Sequence, residues 1–179
     1  MKPILIIIFI LCAIVSCAFA DESVKLGFDM NEWKLGYNAT KGTDSILEFV
    51  PNGEVVENWS ELLTIQSFKG LQQKTTPAEF AQTMKRQLAE TCPQLSWKIL
   101  ESTYAGVMYE WTVAGCPGQF DQQEIAIVIS GNQALYVIHY ATKKLPLSAE
   151  QEQEWINKLR LVTIIAGKPT PTKDWKRIE

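Results

Sequence analysis

Residues 124–142 read EIAIVISGNQALYVIHYAT. Two apolar runs, Glu124–Ile129 and Ala134–Thr142, flank Ser130-Gly131-Asn132-Gln133, where glycine and asparagine favour a tight reversal of the chain. Each run places apolar side chains at consecutive positions, not only at alternate ones. Successive strand residues point to opposite faces, so both faces of these strands need cover. The hairpin therefore predicts the middle of a sheet with a packed layer on each side.

Working outward, Gly106–Val113 alternates cleanly. Val107, Tyr109, Trp111 and Val113 share one face, and Met108, Glu110 and Thr112 share the other. Trp97–Ser102 precedes it as a further strand, and Cys116-Pro117-Gly118 follows as a turn. Upstream, Thr76-Pro77-Ala78-Glu79 has Thr at the N-cap, Pro at the first helical position and Glu at the third, a capping box. Phe80, Ala81, Met84 and Leu88 then recur at helical spacing, and Cys92-Pro93 ends the helix near Thr91. Downstream, Ser148 and Gln151 form a second capping box. Trp155, Ile156, Leu159 and Val162 make the stripe of that helix, and Glu154 and Lys158 pair on its exposed side. Towards the amino end, Trp33–Tyr37, Ser45–Val50 and Leu62–Phe68 read as strands separated by turns at Thr40–Asp44 and Pro51-Asn52-Gly53. Asp21–Asn31 reads as a leader into the fold. Strands, a helix, four strands and a helix, tightly connected, predict an α+β domain over residues 21–166. It is an antiparallel sheet of about six to seven strands with two amphipathic helices packed on it. The proline-bearing residues 167–179, which include Trp175, read as an extended or disordered tail.

The first twenty residues read as a signal peptide. Lys2 is the positive start, Ile4–Val15 is an uncharged apolar run, and Ala18-Phe19-Ala20 before Asp21-Glu22 is the cleavage site. A second route is written in the same stretch. Ile14-Val15-Ser16-Cys17 resembles a bacterial lipobox, in which Cys17 is lipidated and anchors the chain to a membrane surface. Either route takes the domain out of the cytoplasm. Location is then periplasm or medium, or the envelope as a lipoprotein.

Cleavage after Ala20 removes one basic residue, Lys2, from 17 and none of the 20 acidic ones, so the net charge moves from −3 to −4. A mildly acidic domain carries no global footprint for nucleic acid. Apart from the signal, no run is long and apolar enough to span a bilayer. Of the four cysteines, Cys12 and Cys17 fall in the signal segment, leaving Cys92 and Cys116. Two thiols in an oxidising compartment most simply form one disulfide. Their wide spacing is unlike a redox C-x-x-C pair, and a chain with one histidine is poor in metal ligands.

Phe49-Val50-Pro51 with Gly53, Asn58-Trp59-Ser60, Thr64-Ile65-Gln66, Cys92-Pro93, Cys116-Pro117, Leu135-Tyr136-Val137 and Trp155 together form a recognisable series. Over roughly residues 46–165 it resembles a family of small uncharacterised exported proteins of Gram-negative bacteria. The resemblance implies the Cys92–Cys116 bridge independently of the thiol count and implies no activity. The chain departs from that pattern near Ile165, where the family carries a further cysteine. The order of elements also resembles the PsbP/Mog1-like fold, a likeness of topology that says little about function.

Candidate chemistry is sparse. His139 lies on an apolar strand, where a packed, hydrogen-bonded histidine is the ordinary case and a catalytic base the rarer one. No G-x-S-x-G elbow accompanies it. Glu101, Glu110 and Glu124 lie on or beside strands and are the candidates for a facing carboxylate pair, with Glu110 otherwise a solvent-facing residue of an alternating strand. Of six tryptophans, Trp33, Trp97, Trp111 and Trp155 read as core, and Trp59 and Trp175 as ligand-facing. The expectation is an exported, soluble, non-enzymatic domain that binds a protein or envelope component, with no catalytic residues, metal or cofactor. The alternatives are a secreted factor acting on host or neighbouring cells, and a small hydrolase using His139 or a carboxylate pair.

Overall fold

The computed structural model describes residues 22–166. The signal segment, Cys17, Trp175 and the tail lie outside the described residues. The strands are β1 (Glu22–Lys25), β2 (Trp33–Lys41), β3 (Asp44–Pro51), β4 (Glu61–Lys69), β5 (Ser96–Ser102), β6 (Gly106–Val113), β7 (Gln122–Ser130), β8 (Ala134–Thr142) and β9 (Thr163–Ala166). The helices are α1 (Pro77–Thr91), between β4 and β5, and α2 (Ala149–Arg160), between β8 and β9.

Seven strands form one sheet in the order β2-β3-β4-β8-β7-β6-β5, every neighbouring pair antiparallel. The fold is α+β. Two meanders, β2-β3-β4 and β5-β6-β7-β8, meet where β4 pairs with β8, so β8 is the middle strand. The apolar runs on both of its faces explain that position, because only a strand covered twice can bury them.

Each helix covers one face. Trp155, Ile156 and Leu159 of α2 bury against Leu63, Met108, Ile125, Tyr136, Ile138 and Tyr140. Tyr140 stacks on Trp155 with ring centroids 3.8 Å apart, and Trp33 meets both rings edge-on. On the other face, Ala81 of α1, with Phe80 and Leu88, packs on Val107, Tyr109, Trp111, Val113, Ala126, Val128, Leu135 and Val137. Fully burying each large aliphatic or aromatic side chain here contributes about 1.5–3 kcal/mol.

Both capping boxes form. Thr76 Oγ1 accepts from the Glu79 amide while the Glu79 carboxylate accepts from the Thr76 amide, and Ser148 and Gln151 reciprocate in the same way. Cys92 turns the chain to an extended conformation before Pro93 and ends α1. Its sulfur is bonded to that of Cys116, with the Cα atoms 5.3 Å apart. The bridge ties the end of α1 to the loop after β6.

The stretch expected to be a leader is in fact structured. Glu22–Lys25 forms β1 and pairs with β9 as a separate two-stranded ribbon, Glu22 opposite Ala166 and Lys25 opposite Thr163. Val24 and Ile164 lay their side chains on the α2-side core. The Glu22 carboxylate accepts from the amides of Asn132 and Gln133, at 2.7 and 2.8 Å, and from the Tyr136 hydroxyl. It holds the ribbon to the β7–β8 hairpin. Gly131 leaves room for this contact, since a Cβ there would sit 2.5 Å from Glu22 Oε2.

Candidate functional site

The sheet register lines up four polar side chains on the α1 side. Tyr37 stands opposite Glu48, Glu48 opposite Thr64, and Thr64 opposite His139. Directly opposed residues share a face, so the row runs from the β2 edge to the middle strand. α1 lies over β6 and β7, beyond the inner end of this row. Tyr37, at the outer end, is 47% exposed; Glu48 is half-buried; Thr64 is 1% exposed. Gln66, half-buried, shares their face one step along β4.

At the inner end His139 meets Glu124 of β7. Nδ1 lies 2.9 Å from Glu124 Oε2, and the imidazole is 18% exposed. Nδ1, Nε2 and Thr64 Oγ1 are all buried without a well-aligned hydrogen-bond partner. The second oxygen of Glu124 accepts from Trp111 Nε1 at 3.0 Å. Burial by itself would lower the His139 pKa, but the carboxylates of Glu124 and Glu48 outweigh it and hold the imidazole above its ordinary value. Burial pushes the Glu48 carboxyl up, and the His139 charge partly offsets that. Burial first, then the Glu124 charge, pushes the Tyr109 phenol far up, so it stays protonated.

The carboxylates singled out from sequence do not meet. Glu110 stands opposite Ile125 and Glu124 opposite Trp111, which places the two acids on opposite faces of the sheet. Glu110 is half-buried rather than solvent-facing, because α2 comes down beside it: Gln123 Nε2 donates to it, and Gln123 Oε1 accepts from the Leu147 amide at 3.1 Å. Burial raises its pKa. Glu101 is exposed and paired with Arg160.

Trp59 is half-buried against Val50, Leu62 and Ala141. The Lys143 ammonium lies between two rings, 4.0 Å from the Trp59 centroid and 4.1 Å from that of Phe120. The ring expected to face a ligand is thus already engaged by a cation of its own chain. Phe120 is 68% exposed and Tyr104, in the β5–β6 turn, 96% exposed; sequence reading passed over both. Tyr104 borders a groove of about 260 Å³ at the start of α1, lined by Gln72, Lys74, Thr75, Glu79 and Ser130 among others. Glu48, Thr64 and Tyr37 were also passed over, since only the pairing register brings them beside His139.

Among the described residues, no group of three or more His, Cys, Asp or Glu side chains converges to hold a metal ion, and no helix is long and apolar enough to cross a membrane. No protein-family model matches the chain, and a search of curated proteins finds no relative.

Proposed function

We propose that the chain is an exported, non-enzymatic domain that binds a protein or envelope component through the α1-side face of β2, β3 and β4. The observation that carries this reading is the row Tyr37–Glu48–Thr64–His139, which runs from the middle strand to an exposed aromatic ring at the β2 edge. Export is read from the first twenty residues and fits the bonded cysteine pair Cys92–Cys116.

Acid–base catalysis by His139 is the competing reading, because Glu124 holds Nδ1 as an orienting carboxylate would. Weighing against it, the hydroxyl beside the imidazole belongs to Thr64, which is 1% exposed, and both cysteines are in the bridge. A nucleophile that substrate cannot reach does no chemistry.

The test has two parts. The intact mass of the native protein is measured separately in cytosol, periplasm, membrane and medium. A chain beginning at Asp21, or at a lipidated Cys17, supports export, and accumulation of a chain beginning at Met1 in the cytosol overturns it. A photo-crosslinking residue in place of Tyr37 is then compared with one in place of Tyr104. Capture of a discrete envelope component at position 37 and not at 104 supports the face. Equal yields from both positions refute it.

A further inference from the structure

Three connections meet at one end of the sheet. Trp59 stands just before β4, Phe120 just before β7, and Lys143 follows β8, the strand between those two. The Lys143 ammonium thus comes to lie between the two rings. We infer that Trp59 and Phe120 form a binding site for a quaternary ammonium group, with Lys143 as its displaceable internal occupant.

Both rings are held in place. Trp59 is packed from behind on Val50, Leu62 and Ala141. Phe120 is 68% exposed, yet its loop is tied down on both sides of it. Cys116 is bridged to Cys92, the Asp121 carboxylate accepts from the Gly115 amide at 2.7 Å, and Gln119 donates to the Thr91 hydroxyl at 2.8 Å. A ring ordered before its ligand arrives lowers the cost of binding.

The present occupant identifies the class of ligand. An ammonium lies 4.0 Å from one ring centroid and 4.1 Å from the other, inside the range over which a ring face attracts a cation. The same faces repel an anion. Glu54 adds to the preference. Its carboxylate is kept ionised by the Ser60 hydroxyl and amide, and the Ser60 carbonyl accepts from the Lys143 amide. Among the described residues Glu54 makes no ion pair of its own.

A lysine suits this place less well than a methylated cation would. Among the described residues its ammonium has neither an ion pair nor a hydrogen bond. It carries three N–H donors and meets ring faces on two sides, which take the place of water without accepting as water does. A quaternary ammonium has no donor to leave unmatched, so it gains the attraction of the rings without that loss. Holding the lysine also freezes a long, flexible side chain. Exchange of the internal cation for an external one is therefore easy.

The site neighbours the Tyr37 row, since Val50, Leu62 and Ala141 lie two residues along from Glu48, Thr64 and His139 on the same strands. It uses no side chain of that row, so the outcome of the crosslinking at position 37 leaves it untouched.

The experiment is a chemical-shift titration of the native protein with tetramethylammonium chloride, with sodium chloride and methylammonium chloride as controls at matched ionic strength. The expected result is saturable shifts at the Trp59 indole N–H and the Phe120 ring at millimolar tetramethylammonium, weaker binding of methylammonium and none of sodium. Lys143→Ala should tighten binding severalfold, because the competing occupant is gone. Phe120→Ala should weaken it about tenfold. An exposed ring is removed there, so the rest of the native spectrum should persist and separate lost binding from misfolding. Choline and phosphatidylcholine vesicles then distinguish the source. Choline binding without co-sedimentation on vesicles assigns the site to a free molecule, and co-sedimentation that Phe120→Ala abolishes assigns it to a lipid head group. No saturable shift in either the native protein or Lys143→Ala, equal affinity for methylammonium, or unchanged affinity in Phe120→Ala overturns the site.

Discussion

His139 ties the middle strand to two acids, and its titration has a definite sign. The folded pKa is raised above the unfolded one, so its stabilising contribution is complete below the unfolded value of about 6.5 and is lost as pH rises through the folded value. Glu48 and Glu110 are raised carboxyls, so their folded forms also hold protons longer than the unfolded chain. They too reduce stability as pH climbs past the ordinary carboxylate range. Thermal melts should therefore show a lower midpoint at pH 8 than at pH 6, and His139→Gln should remove most of that difference. Glu124→Ala removes the carboxylate beside His139 Nδ1 and strips Trp111 Nε1 of its acceptor. It should cost about 1–3 kcal/mol in urea unfolding and change the indole fluorescence. At this scale sequence reading went only part of the way. It found the histidine on an apolar strand, but its partners sit 15 residues before it on β7 and two strands away on β3, and only the register of the whole sheet makes them neighbours.

The two helices and the hairpin strands were legible because each carries its own signal: a capping box at each helix start, a helical stripe, an alternating run, a glycine turn. β1 and β9 were not. Each is four residues long, and what makes them strands is their pairing with each other across nearly the whole domain. The Thr76 cap is exposed and local, so Thr76→Ala should cost about 1 kcal/mol in chemical denaturation without altering the sheet. The Cys92–Cys116 bridge closes a loop with a sequence separation of 24. On the chain-entropy account its reduction should cost about 3 kcal/mol. Non-reducing peptide mapping should join the two cysteine peptides; two freely alkylated thiols would remove the bridge from the fold.

For the molecule as a whole, the α2 side is a dense aromatic stack and the α1 side is divided between a packed half and the polar row. Trp155 joins α2, Tyr140 of β8 and Trp33 in one cluster, so Trp155→Ala should cost about 3–5 kcal/mol and lower the melting midpoint of the entire domain. Tyr37→Ala, at the exposed end of the binding face, should by contrast leave that midpoint alone. The β1–β9 ribbon sets how the domain would respond to mechanical load. Glu22 and Ala166 face each other at the same end of an antiparallel pair. Tension applied through the two ends of the domain would therefore act across the ladder and peel its hydrogen bonds one at a time, instead of shearing them together. The Glu22 contacts at the β7–β8 hairpin sit where that load enters, so they would break together with the first rung of the ribbon. A domain tethered at one end and gripped at the other would yield at its seam first, with the seven-stranded sheet and the polar row still intact.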